Sequence, residues 1–121
     1  MSTAAICDDD EGVRLVLQEM LINEGWQVLG AVGSASEAIE LVQASAPDLL
    51  ILDIAMPGLS GLDAMAQLRA GSPDTTVVLL SALKVSPEDF VVSGAGASVE
   101  KTDLTLLPDM LRHLQSRSRS S

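Results

Sequence analysis

Asp48-Leu49-Leu50-Ile51-Leu52-Asp53 is the stretch on which the fold turns: four consecutive aliphatic residues bounded at each end by a carboxylate. A run this short and unbroken suits a strand buried on both faces, as in a parallel sheet covered by helices on each side. Ala4–Cys7, Val28–Val32 and Val77–Leu80 share that character, and Val99 anchors a weaker fifth strand around Ser98–Glu100. Between these runs the apolar spacing changes to that of helices. Val13, Val16, Leu17, Met20 and Leu21 form one stripe; Ala35, Ala38, Ile39 and Val42 a second; Leu62, Met65 and Leu68 a third; Leu107, Met110, Leu111 and Leu114 the last.

The punctuation agrees. Ser34, with Glu37 three residues on, predicts a capped start for the second helix, and Ser60 before Gly61 does the same for the third. Ser86-Pro87-Glu88-Asp89 opens a fourth, with proline at the first helical position. Gly25, Gly71 and one of Gly94 or Gly96 are expected just past helix ends. Asp103 or Thr105 is expected to cap the last helix, whose first turn holds Pro108. Five strands alternating with five helices predict an α/β fold: a doubly wound five-stranded parallel sheet with helices on both faces, flavodoxin-like. By analogy with doubly wound domains of this size the order is 2-1-3-4-5, which puts ligands at the carboxyl ends of the first and third strands.

The 121 residues are enough for one domain with a real core, and 47% apolar content excludes a disordered chain. We expect the domain to occupy residues 1–115, with 116–121 a flexible tail or truncated linker, because hydrophobic periodicity ends there. No apolar run is long enough to span a bilayer, and the N-terminus runs into acids rather than a secretory signal, so a cytoplasmic protein is expected. A single cysteine, Cys7, excludes an internal disulfide and reads as a small buried hydrophobe. A formal net charge of −10 argues against direct contact with nucleic acid or anionic membrane. With no tyrosine, one phenylalanine and one tryptophan, the chain also lacks base-stacking platforms.

If function lies where the strands end, the residues there are informative. Asp8-Asp9-Asp10-Glu11 follows the first strand, Asp53 the third, Ser81 the fourth, and Lys101 the fifth. Taken singly each has a plain explanation: a helix cap, a turn aspartate, a surface lysine. Together they bring carboxylates, a hydroxyl and an ammonium to one rim, and only two lysines, Lys84 and Lys101, exist in the chain. Clustered carboxylates repel unless a cation neutralises them, and an all-oxygen set suits Mg²⁺. Asp53 could then attack phosphorus as a nucleophile while the metal and Lys101 balance the phosphoryl charge and Ser81 donates a hydrogen bond.

At these residues the chain resembles response-regulator receiver domains over nearly its whole length. The segment from Asp48 through Asp53-Ile54-Ala55-Met56-Pro57-Gly58 to Leu62 is similar to the family's phosphoacceptor motif almost position for position. Asp8-Asp9, with Arg14 at the usual distance, resembles its acidic pair; Val77–Ala82 resembles the strand ending in its switch hydroxyl; Gly94-Ala95 and Ser98–Lys101 resemble the approach to its lysine. The resemblance implies that Asp53 is phosphorylated and also ligates Mg²⁺. It implies that Asp9 binds the metal directly, that Asp8 acts through water, and that the backbone carbonyl of Ala55 completes the set. Ser81 and Lys101 would then engage the phosphoryl group. It further implies a phosphoacceptor switch rather than a turnover enzyme, with a histidine kinase or phosphotransfer protein as donor. A C-terminal output domain and a phosphorylation-dependent dimer are compatible with it.

The pattern departs in three places. Ser98 stands where the family usually has an aromatic, Thr102 follows Lys101 where many members have proline, and the region between Ser81 and Lys101 is two residues short. The output face around the fourth helix, with Phe90, Val91, Leu107 and Leu111 as candidates to sense the switch, is therefore expected to be unusual. The alternative is a receiver-like interaction module that works without phosphorylation. A haloacid-dehalogenase-type phosphatase would want a second aspartate where Ala55 stands. Asp8-Asp9-Asp10-Glu11-Gly12 lacks the spacing of a calcium loop, and Gly94-Ala95-Gly96 follows no strand as a dinucleotide motif must.

Overall fold

A computed structural model describes residues 2–55, 61–82 and 84–119. The elements alternate as β1 (Thr3–Cys7), α1 (Glu11–Asn23), β2 (Gln27–Val32), α2 (Ala35–Ser45), β3 (Leu49–Asp53), α3 (Gly61–Gly71), β4 (Thr76–Ser81), α4 (Pro87–Ser93), β5 (Ala97–Glu100) and α5 (Leu107–Arg119). All strand pairings are parallel, in the order β2-β1-β3-β4-β5. The Leu49–Asp53 strand is central, and all five of its residues are buried.

Strand alternation splits the core into two layers. Ala5, Cys7, Leu50, Leu52, Val77 and Leu79 face α2 and α3, where Ala38, Val42, Met65 and Leu68 meet them, with Phe90 of α4 half-buried alongside. Ala4, Ile6, Leu49, Ile51, Val78, Leu80 and Val99 face α1 and α5, meeting Leu17, Leu21, Leu107 and Leu111. In the register, Cys7 pairs Leu52, Asp53 pairs Leu80 and Ser81 pairs Glu100, so β1, β3, β4 and β5 end together on one rim.

Several local expectations need correction. β2 was expected to be buried but is only half-buried, because it is an edge strand with a neighbour on one side. Val16, placed in the first apolar stripe, is 48% exposed; Leu17 and Leu21 carry the burial. Gly71 is the last residue of α3 rather than a residue beyond it, whereas Gly25 (φ 86°) and Gly94 (φ 76°) do adopt left-handed backbone. Ala46, not a glycine, closes α2 at φ 43°. Neither Asp103 nor Thr105 caps α5: a 3₁₀ turn, Leu104–Leu106, leads into it, and the Thr105 hydroxyl bonds the Asp103 carboxylate instead. Residues 116–119, expected as tail, continue α5, which runs to Arg119 because an established helix adds residues at little cost. Met56–Ser60, the Ser60 cap and the side chain of Leu62 lie outside the described residues.

The Ser34 and Ser86 caps are present, accepting from the N–H groups of Glu37 at 3.2 Å and Asp89 at 3.1 Å. α4 has only 7 residues, against 11 to 13 in the other helices, and Gly94 ends it, so Gly94-Ala95 rather than Gly96-Ala97 marks its close.

Candidate functional site

Asp8 leaves β1 with its N–H bonded to the Val32 carbonyl at 3.0 Å. Its Oδ1 accepts from the Asp10 N–H at 2.9 Å, and Asp10 in turn caps α1 by accepting from Gly12 and Val13. The acidic run is thereby divided: Asp10 serves the helix, and Asp8 and Asp9 are left for the rim. Asp8 and Asp53 lie two residues beyond Ile6 and Ile51, and Lys101 two beyond Val99, so all three continue the layer that faces α1 and α5.

Asp8 and Asp53 are both 0% exposed. Lys101 Nζ sits between them, donating to Asp53 Oδ2 at 2.9 Å and forming an ion pair with Asp8 Oδ2 at 3.0 Å, with 25% of its side chain exposed. The Asp8 contact lacks the alignment of a hydrogen bond, leaving Oδ2 without one. Asp53 Oδ1 accepts from the Ala55 N–H at 2.9 Å. Asp9 is exposed, yet one carboxylate oxygen from each of Asp8, Asp9 and Asp53 falls within 4.8 Å of the others.

Burial raises the Asp8 pKa above 3.8; the Asp10 N–H and Lys101 pull it down without winning, and Asp53 adds to the rise. Lys101 is opposed by burial, but its partners Asp53 and Asp8 hold its pKa above 10.5. Burial, followed by the charges of Asp53, Asp8 and Glu37, pushes the Cys7 thiol up to about 12 against the pull of Arg14. Two buried carboxylates share one ammonium and a third, exposed carboxylate lies beside them, which leaves excess negative charge, and oxygen-only donors fit a hard divalent ion. The residues present therefore fit Mg²⁺.

Ser81 ends β4, 7% exposed, and its carbonyl accepts from the Lys101 N–H at 2.7 Å, tying the two residues through the backbone. The neighbouring Leu80 carbonyl accepts from the Ile54 N–H at 3.1 Å. Ser98 is exposed on β5 and lines a cavity of about 260 Å³ with Lys84, Val85, Val99, Leu106 and Met110. One contributor was not assigned a role from sequence. Arg14 Nη1 donates to the Asp8 carbonyl at 2.8 Å. Its place on the helix after the acidic run is visible in sequence, but no pattern of charges reveals a backbone carbonyl as its target.

A doubly wound sheet carrying a lysine-bridged acidic cluster on its carboxyl rim defines a small α/β domain with one candidate site. The chain belongs to the response regulator receiver domain family, which it matches over residues 4–106. It is similar to the response regulator GacA of Pseudomonas aeruginosa, 29% identical over 116 residues that cover 95% of this chain and 54% of GacA. It is also similar to the transcriptional regulatory protein PdtaR of Mycobacterium tuberculosis, 38% identical over 61% of this chain and 36% of PdtaR. The chain thus spans about half or less of these curated regulators. Among solved structures, TrrA of Thermotoga maritima in complex with Mg²⁺-BeF superposes with a TM-score of 0.82 at 30% identity, covering 94% of this chain and 99% of that one. The receiver domain of AraT from Geobacillus stearothermophilus, at 18% identity and a TM-score of 0.86 over 98% of this chain and 96% of that one, supports the fold alone.

Proposed function

We propose that this chain is a phosphoacceptor switch in which Asp53 receives a phosphoryl group from a phosphohistidine of a histidine kinase or phosphotransfer protein, in a Mg²⁺-dependent reaction. The observation that carries this reading is the Lys101 ammonium, 2.9 Å from Asp53 and 3.0 Å from Asp8, between two fully buried carboxylates. An Asp53 carboxylate oxygen forms a bond to phosphorus as the P–N bond breaks; the electron pair goes to the imidazole nitrogen, which takes up a proton. Lys101 then redirects its donors from Asp53 to the phosphoryl oxygens, and Ser81 donates to another of them. Asp8, Asp9, Asp53 and the Ala55 carbonyl would hold Mg²⁺, which would supply positive charge against the carboxylate and phosphoryl oxygens. Return to the ground state is attack of water on phosphorus with release of phosphate and of the Asp53 carboxylate. The chain is then a reactant that is reset, and not an enzyme acting on a free substrate.

The Lys101 N–H to Ser81 carbonyl bond supports a route outward, since movement of Ser81 carries the end of β5 with it. Output would pass to the surface around α4, β5 and α5. The greater length of the relatives is consistent with a C-terminal output domain, with a phosphorylation-dependent dimer as one form of response. Net charge of −10 supports a partner that is protein and not nucleic acid. Among the described residues no helix is long and apolar enough to cross a membrane, and we assign the switch to the cytoplasm with its kinase.

Incubation with acetyl phosphate or phosphoramidate, read by intact mass, tests the reading. Wild-type protein with Mg²⁺ gains one phosphoryl group; chelation of the metal or Asp53→Asn removes the gain. A wild-type chain that gains nothing is a phosphorylation-independent interaction module.

A further inference from the structure

Arg14 is bound in a way that a solvated helix residue has no reason to be. From the first turn of α1 it reaches back six residues, and its Nη1 donates to the Asp8 carbonyl at 2.8 Å. Gly33, just past β2, leaves room for it: a Cβ there would stand 3.3 Å from Nη1 and 4.0 Å from the same carbonyl. The rest of Asp8 is held by other elements: its N–H bonds the Val32 carbonyl and Oδ1 the Asp10 N–H, while Oδ2 has only the ion pair with Lys101. The carbonyl leads directly into Asp9, whose carboxylate is exposed.

We propose that Arg14 is the positioning residue of the metal-binding loop: seated against Gly33 and bonded to the Asp8 carbonyl, it holds Asp8 and Asp9 in register for a divalent cation. The inference rests on the Mg²⁺-dependent reading above and deepens it. Positioning and charge predict opposite signs, which makes the role separable. A positive charge beside a cation site weakens cation binding, so a merely electrostatic Arg14 improves Mg²⁺ affinity when removed. A group that orients ligands weakens affinity when removed, typically by about 10-fold or more for supports of this kind.

Amide shifts of Asp9 and Asp10 followed through a Mg²⁺ titration supply the affinity. Arg14→Met and Arg14→Lys are each expected to weaken Mg²⁺ binding about 10-fold, the lysine variant because it keeps the charge but loses the planar fork. Gly33→Ala, which removes no charge and only crowds Nη1, is expected to weaken it about 3-fold. Hydrogen exchange in the metal-free protein separates local from global effects. The Asp10 amide accelerates in Arg14→Lys while the central-strand Ile51 amide keeps its wild-type rate. Unchanged or tighter Mg²⁺ binding in both Arg14 variants overturns the proposal, as does equal acceleration at Asp10 and Ile51. Wild-type protein that takes up no Mg²⁺ overturns the functional reading and this inference with it.

Discussion

Lys101 occupies the point where burial and charge conflict most sharply. Two carboxylates with no solvent exposure face each other across it, and the ammonium offsets their repulsion while keeping a quarter of its own side chain in water. Cys7, one residue before Asp8 and also buried, donates its Sγ hydrogen to the Ser34 carbonyl at 3.3 Å and feels the same negative field. Both Cys7 and Lys101 bind protons more tightly folded than unfolded. The unfolded thiol ionises near 9.0 while the folded one waits until about 12, and folded Lys101 keeps its proton past 10.5. Each contribution is intact below the unfolded pKa and is lost as pH rises toward the folded one. Metal-free protein should accordingly show a urea midpoint that falls as pH climbs from 9.0 past 10.5, with Cys7→Ala flattening the first part of the decline. A midpoint constant over that interval contradicts the assignment. The same thiol should resist alkylation until the protein is unfolded.

α4 shows what element-level physics adds to a site of this kind. It is two turns long, its Val91 and Val92 are 76% and 81% exposed, and only Ser93 among its residues is buried. Helices this short depend on caps and tertiary props. Ser86 supplies the first, and Phe90 packed against the core supplies the second; the Arg69 guanidinium lies so near Gly94 that a Cβ there would meet it at 2.5 Å. Gly94→Ala faces both that clash and left-handed backbone, and is expected to cost about 1–2 kcal/mol, with amide exchange in α4 rising before that of the sheet. Retention of wild-type exchange in α4 would show that the left-handed turn at Gly94 does not hold it. The strands and their caps were legible because their signals are local: an aliphatic run for β3, Ser34 and Ser86 before helical spacing. What was not legible depends on neighbours. Val16 satisfies helical spacing but faces water, β2 reads like β3 until its edge position is known, and Ala46 takes a left-handed conformation that no residue preference announces. Arg14 belongs with these, since its target is a backbone carbonyl, whereas the helix cap expected of the acidic run is there at Asp10.

For the whole molecule, strand order turns scattered residues into one site. Asp8, Asp53, Ser81 and Lys101 come from different strand ends, yet the 2-1-3-4-5 sheet sets those ends side by side. The position of the rim was therefore readable once five alternating units were recognised, whereas the bridging of two carboxylates by Lys101 depends on side-chain reach across the rim, which no local pattern encodes. The central claim concerns one carboxylate among 17 acidic side chains. Borohydride reduction of the protein after treatment with acetyl phosphate and Mg²⁺, followed by peptide mass mapping, reads out which carboxylate carried the acyl phosphate. The account predicts reduction to homoserine at position 53 alone, dependent on Mg²⁺. Reduction at Asp8 or Asp9 with position 53 untouched, or at no position in the chain, contradicts it.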